Sequence, residues 1–126
     1  MPQLKLEVSA NAALVSDWTP LLHDIHRVLH ESGGIKLENC KTRVQVAENY
    51  LVGDGSPAGA FVHLDVRFMA GRAPALKESI GQELLEVLLT AFADAMRALS
   101  LQVTVEIRDI EHANYFKFPA DSFTPQ

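Results

Sequence analysis

The sequence predicts a two-layer α/β sandwich: a four-stranded mixed sheet made from two β-α-β units, with two helices on one face. Three observations carry this expectation. The chain opens at once on an alternating strand, with Leu4, Leu6 and Val8 on one side and Lys5 and Glu7 on the other. The order strand, helix, strand then occurs twice, in pseudo-repeat halves covering residues 1–53 and 58–110, and a tail follows at 111–126. Strand, helix and strand in one sheet are joined by a right-handed crossover, and two such crossovers leave both helices on the same side.

Each element has its own signal. Residues 9–13 connect the first strand to a helix that Thr19-Pro20 introduces, threonine as N-cap and proline at the first helical position. Leu21, Leu22, Ile25, Val28 and Leu29 recur at helical spacing, and Gly33-Gly34 supplies the stop. Over residues 41–52 the period returns to two, with Thr42, Val44 and Val46 opposite Lys41, Arg43 and Gln45. The run Gly53-Asp54-Gly55-Ser56-Pro57 is a turn.

The second half repeats the order of the first. Residues 61–68 form a strand with Val62, Leu64, Val66 and Phe68 in phase, and Ala70-Gly71-Arg72 is its tight exit. Pro74 opens one long helix whose apolar face holds Ile80, Leu84, Leu85, Leu88, Phe92 and Met96. Residues 101–109 are the last strand, with Val103, Val105 and Ile107 in phase. The opposite sheet face then carries Lys5, Glu7, Arg43, Phe61, His63, Asp65, Arg67, Glu106 and Arg108, a near balance of signs that fits either a solvated face or a contact between subunits.

Composition limits the classes of function. With 126 residues and 48% hydrophobic content the chain suits a single domain, 1–126, and is too short for two of ordinary size. A net charge of -5 argues against sequence-independent nucleic-acid binding, which relies on a basic surface. Residues 84–96 are the most apolar stretch, but Glu86 and Asp94 interrupt it and it falls short of a membrane span, so no membrane partner is expected. A lone cysteine, Cys40, excludes an internal disulfide framework, and with no basic and then apolar leader the expected compartment is the cytoplasm. A small acidic ligand fits this balance, because a pocket holds a dicarboxylate with only two or three local cations.

The residue with unusual chemistry is Pro2. Once Met1 is removed, its ring nitrogen is a free secondary amine, a group that no other residue supplies. Such an amine acts as a general base, or as a nucleophile toward carbonyls, when its neutral form is populated. An ordinary α-amino group titrates at about 7.7 to 8.0, and burial with nearby cations lowers that value. Pro2 is in phase with the buried row of the first strand, and Lys41, Arg43 and Arg72 are the candidate cations. Many chains begin Met-Pro without catalytic use of the proline, but a terminus that runs directly into a strand is held where most termini fray.

Other constellations are weaker. His26 and His30 have the i, i+4 spacing that can share a metal, with His23 nearby, yet neither the metalloprotease glutamate nor a cysteine cluster accompanies them. Cys40 next to Lys41 reads first as a packing residue, and His63 first as a hydrogen-bonded residue within its strand. Neither a phosphate-binding glycine loop nor a G-x-S-x-G elbow is present.

With these residues in place, the chain resembles the tautomerase superfamily, and within it the 5-carboxymethyl-2-hydroxymuconate delta-isomerase family. The resemblance rests on Met1-Pro2, Thr42-Arg43-Val44, Ala60-Phe61-Val62-His63-Leu64 leading to Ala70-Gly71-Arg72, Val105-Glu106-Ile107, and Asn114-Tyr115-Phe116-Lys117. It implies a cytoplasmic homotrimer of aromatic-compound catabolism, with inward-facing sheets and active sites shared between subunits. It also implies that no metal or organic cofactor is used. Carried over residue by residue, Pro2 is the base, Arg72 holds or polarises the substrate, and Lys41 and Arg43 bind its carboxylates. The family has arginine where this chain has Lys41, and the tail departs from the family pattern around Glu111-His112-Ala113. A lysine is a point charge where arginine is a planar fork, so carboxylate recognition there is less geometrically selective.

The expected reaction converts a 2-hydroxy dienoic di- or tricarboxylic acid to its unsaturated 2-oxo acid. Two further readings stay open at this point. An N-terminal proline also serves decarboxylases and dehalogenases of small acids, and a two-layer α/β domain can be a non-catalytic binding or assembly module.

Overall fold

The computed structural model describes residues 1–120; the last six residues of the expected tail, 121–126, lie outside the described part. Four strands form one sheet in the order β2-β1-β3-β4, from β1 (Gln3–Ser9), β2 (Lys41–Ala47), β3 (Gly59–Met69) and β4 (Ser100–Ile110). The outer pairs β1/β2 and β3/β4 are parallel and the central pair β1/β3 is antiparallel. Helix α1 (Thr19–Glu31) makes the first crossover, and α2 (Pro74–Ala91) with the short α3 (Ala93–Ala98) makes the second. The predicted α/β sandwich is therefore the observed one.

Period two decides which sheet face is buried. Leu4, Leu6 and Val8 of β1 and Val62, Leu64, Val66 and Phe68 of β3 are buried beneath the helices. Against them pack Leu21, Ile25 and Leu29 of α1 and Ile80, Leu84 and Leu88 of α2, three positions from each helix at helical spacing. The same rows on the edge strands, Val44 on β2 and Val103, Val105 and Ile107 on β4, are only half-buried. Leu84 has no exposure at all, so Leu84→Ala should cost about 2–5 kcal/mol through lost burial and the cavity left behind. Equilibrium urea unfolding reads this directly, and a loss under 1 kcal/mol would mean that the core collapses around the gap.

Three boundaries differ from expectation. Thr19 is the first residue of α1 rather than its N-cap; Trp18 precedes it in a helical conformation, and Asp17 Oδ1 accepts the Thr19 N–H at 3.1 Å. The long second helix breaks at Phe92, where the backbone leaves helical geometry (φ -104°, ψ 22°). After that break the face rotates: Phe92 and Ala95 are buried, whereas Met96 is exposed. Strand β2 ends at Ala47 and the loop begins there, because Glu48, Asn49 and Tyr50 lack neighbours to pair with on β1, whose register stops at Ser9.

Candidate active site

Pro2 is buried just ahead of β1, on the helix-covered side with Leu4. Gln3 pairs with Arg67 on β3 and with Lys41 on β2. Continuing both registers by one residue sets Pro2 between Phe68 on one side and Cys40 on the other. Met1 ahead of it is itself only 6% exposed. The Cys40 thiol donates to the Lys36 carbonyl at 3.6 Å. Burial pushes that thiol above the usual cysteine range, with the neighbouring chain terminus and Lys41 pulling the other way. Cys40 is thus a packing residue beside the terminus, not an activated nucleophile.

Arg72 reaches the same end of the sheet by a different route. β3 ends at Met69, and Gly71 takes φ +122°, a conformation that side chains rarely adopt, which turns the chain sharply. Ala70 is held on both sides, its N–H by the Ile110 carbonyl at 2.9 Å and its carbonyl by His112 Nε2 at 2.9 Å. The Arg72 side chain folds back: Nη1 donates to the Met69 carbonyl at 3.1 Å and the guanidinium lies 4.7 Å from the centroid of the Phe68 ring. Phe68, fully buried and next in register toward Pro2, is therefore the ring on which Arg72 rests.

The electrostatics of Arg72 are those of a cation short of an anion. Its partial burial lowers its affinity for the proton below the ordinary arginine value, and Asp109 offsets this only in part. Asp109 is bound instead by Lys77 at 3.3 Å. Among the described residues no carboxylate lies within 4 Å of Arg72. A guanidinium has five donors, and the one to Met69 leaves most of this set for a planar anion.

Lys41 and Arg43 lie elsewhere in the subunit. They alternate with Thr42 and Val44, so they share the open sheet face with Gln3 and Lys5, whereas Pro2 belongs to the covered face. Lys41 Nζ donates to the Asn39 carbonyl at 3.2 Å. Arg43 donates to Gln3 Oε1 at 2.8 Å and to the Leu4 carbonyl at 3.4 Å. The extended register sets Pro2 beside Phe68, whose ring Arg72 overlies, and Lys41 and Arg43 lie on the opposite sheet face within one subunit.

The helix histidines are held by hydrogen bonds, His26 Nε2 to Thr42 Oγ1 and His30 Nδ1 to the Ile35 carbonyl, each at 2.8 Å. Burial and then His23 lower the affinity of His26 for a proton. Two larger clefts, of about 440 and 450 Å³, lie between α2 and β4 and between α1 and α2. Neither borders Pro2 or Arg72, and the second is lined by Asp24, Glu31, Glu83 and Glu86, which repel an acidic substrate. Two contributors had no legible signal in the sequence. Phe68 reads as one more core residue, and His112 is 42 positions from the carbonyl it braces.

This sheet with its two crossovers, and Pro2 at one end of it, match the tautomerase class. Its shape agrees closely with a crystal structure of a 5-carboxymethyl-2-hydroxymuconate isomerase from Deinococcus radiodurans R1, with a TM-score of 0.84 and 28% identity over 92% of this chain and 87% of that one. A fused 4-OT in a symmetric trimer shares the fold at a TM-score of 0.73 and 20% identity, covering 95% of this chain and 94% of that one. In sequence, the Escherichia coli 5-carboxymethyl-2-hydroxymuconate Delta-isomerase is 27% identical over 117 residues, 93% of each chain. The profile of the 5-carboxymethyl-2-hydroxymuconate isomerase family matches residues 2–120, and the chain belongs to that family. It is accordingly an isomerase of tautomerase type.

Proposed function

We propose that the chain, as a single domain of two pseudo-repeat halves, isomerises a 2-hydroxy dienoic, muconate-type di- or tricarboxylic acid to the unsaturated 2-oxo acid, with Pro2 as general base. The reading is carried by the Arg72 guanidinium, half-buried over the Phe68 ring with no carboxylate within 4 Å among the described residues, on the strand position that the register extends to Pro2. Removal of Met1 frees the amine and opens the space that the buried methionine fills.

The atoms balance without a cofactor. Neutral Pro2 takes the proton of the substrate's 2-hydroxyl, the C–O bond becomes a carbonyl, the diene electrons move outward, and the prolinium returns the proton to the far carbon. Arg72 accepts the developing enolate charge or a neighbouring carboxylate. The name of the Escherichia coli relative favours a carboxymethyl-substituted muconate, and Lys41 argues for looser recognition of one of its carboxylates.

Assembly as a homotrimer accounts for the placement of Lys41 and Arg43. Their sheet face is uncovered in a single subunit, which leaves it available to a neighbouring copy, and trimeric structures of the same fold support an assembly of three. A site shared between copies would then draw its second set of cations from a neighbour.

The test is direct. Protein shown by intact mass to lack Met1 is given 5-carboxymethyl-2-hydroxymuconate, the ultraviolet band of the dienol is followed, and the product is identified by NMR. Conversion to the 2-oxo isomer is expected. No conversion, or release of carbon dioxide or halide from a substituted acid instead, overturns the isomerase assignment.

A further inference from the structure

We infer that Lys77 is a positioning residue for the site: by holding the Asp109 carboxylate it keeps the Arg72 guanidinium available to an acidic substrate. The inference rests on the proposed role of Arg72 as the group that meets a carboxylate or an enolate.

The sheet register brings an internal competitor close to Arg72. Asp109 on β4 pairs with Phe68 on β3, and residues in register project from the same side of a sheet. The Asp109 carboxylate therefore stands on the side of the Phe68 ring, which Arg72 overlies. Burial lowers the proton affinity of Arg72, and the charge of Asp109 is close enough to offset part of that effect. A guanidinium binds a carboxylate through two parallel N–H bonds, a geometry that a lysine ammonium does not match. Left to itself, Asp109 is the partner that Arg72 would take.

Lys77 removes that partner. Its Nζ lies 3.3 Å from Asp109 Oδ2 and 3.4 Å from Oδ1, so one ammonium engages both oxygens. Both side chains are partly buried, which limits screening of the pair by salt. The backbone under Lys77 is fixed as well, since its N–H and that of Leu76 both donate to the Ala73 carbonyl at 3.1 Å. Lys77 belongs to the start of α2, where the helix dipole disfavours a cation. The pair with Asp109 offsets that local preference. Arg72 meanwhile folds onto the Met69 carbonyl and the Phe68 ring, contacts that use one of its donors and none of a carboxylate's.

Without the Lys77 ammonium, Asp109 turns to Arg72, and an acidic substrate reaches the guanidinium only by breaking an ion pair. Charge neutralisation by Asp109 would weaken Arg72 toward a ground-state carboxylate and a developing enolate alike.

The experiment compares the parent, Lys77→Met and the Lys77→Met/Asp109→Asn double variant, each lacking Met1, on 5-carboxymethyl-2-hydroxymuconate. Lys77→Met should lower kcat/KM about 3- to 5-fold, the effect of one competing ion pair at a partly exposed site. Adding Asp109→Asn should restore the parent value, because the competitor no longer carries charge. If Lys77 itself bound substrate, the loss would persist in the double variant; that result, or no loss in Lys77→Met, overturns the proposal. A readout that needs no turnover separates the proposal from the isomerase reading. The Arg72 Nε–H resonance, assigned by its disappearance in Arg72→Ala, should shift in Lys77→Met and return to its place in the double variant. Should the parent itself fail to turn over the dienol, the isomerase reading falls and this resonance alone decides: a shift that reverses upholds Lys77 as the residue that keeps Asp109 from Arg72, and an unmoved resonance overturns it.

Discussion

Adding residues ahead of Pro2 is expected to abolish isomerisation, with a loss of at least the 10²- to 10⁴-fold that a positioned general base contributes. The reason is electronic before it is steric. A peptide nitrogen delocalises its lone pair into the carbonyl and has no basicity to offer near neutral pH, so Pro2 in a longer chain is an amide whatever surrounds it. The steric effect points the same way, since Met1, bonded directly to that nitrogen, is itself buried. A protein expressed with a short Gly-Ser extension can be compared with the same protein processed to begin at Pro2, each verified by intact mass. Pro2→Ala, which keeps a primary amine at the terminus, should retain more activity than the extended form. Full activity in the extended form would show that the proton moves through another group.

Much of this site was legible from alternation alone, and the rest depended on contacts that sequence does not encode locally. Leu4, Leu6 and Val8 on one side of β1 placed Pro2 on the covered face, and Gly71 announced the turn that delivers Arg72. The same alternation put Arg43 with Lys5 on the open face. The resemblance nevertheless grouped it with Pro2, because a family's site can draw on more than one subunit. What could not be read was the alignment of the first strand with β3, which brings Pro2 toward Phe68 through an antiparallel register between segments some sixty residues apart. The break at Phe92 was hidden for a related reason. An apolar face continues across it in the helical spacing, and only packing shows Phe92 and Ala95 turning inward while Met96 turns out. His112 was missed because its role is a single hydrogen bond to a backbone carbonyl, which no residue pattern announces.

Arg72→Ala should lower kcat/KM for a dicarboxylate dienol by about 10²- to 10³-fold, the usual effect of removing one preorganised group that stabilises developing negative charge. Stability should change little. The guanidinium makes one hydrogen bond to Met69 and one contact with the Phe68 ring, and a cation over an aromatic face at a partly exposed site is worth about 0.5–1 kcal/mol. Unfolding measured alongside kinetics therefore separates a lost substrate contact from a disturbed fold. The split between kcat and KM carries the mechanistic content. A loss mainly in KM identifies Arg72 as a holder of a ground-state carboxylate, whereas a loss mainly in kcat identifies it as a partner of the enolate. Arg72→Lys sharpens the distinction, because it keeps a charge near Phe68 but replaces the planar fork with a point cation. Recovery of kcat without KM in that variant would assign charge stabilisation to the residue and carboxylate geometry to its guanidinium. If Arg72→Ala turns over the dicarboxylate as fast as the parent, the half-buried cation at Phe68 is structural and the substrate is held by Lys41 and Arg43 from a neighbouring copy.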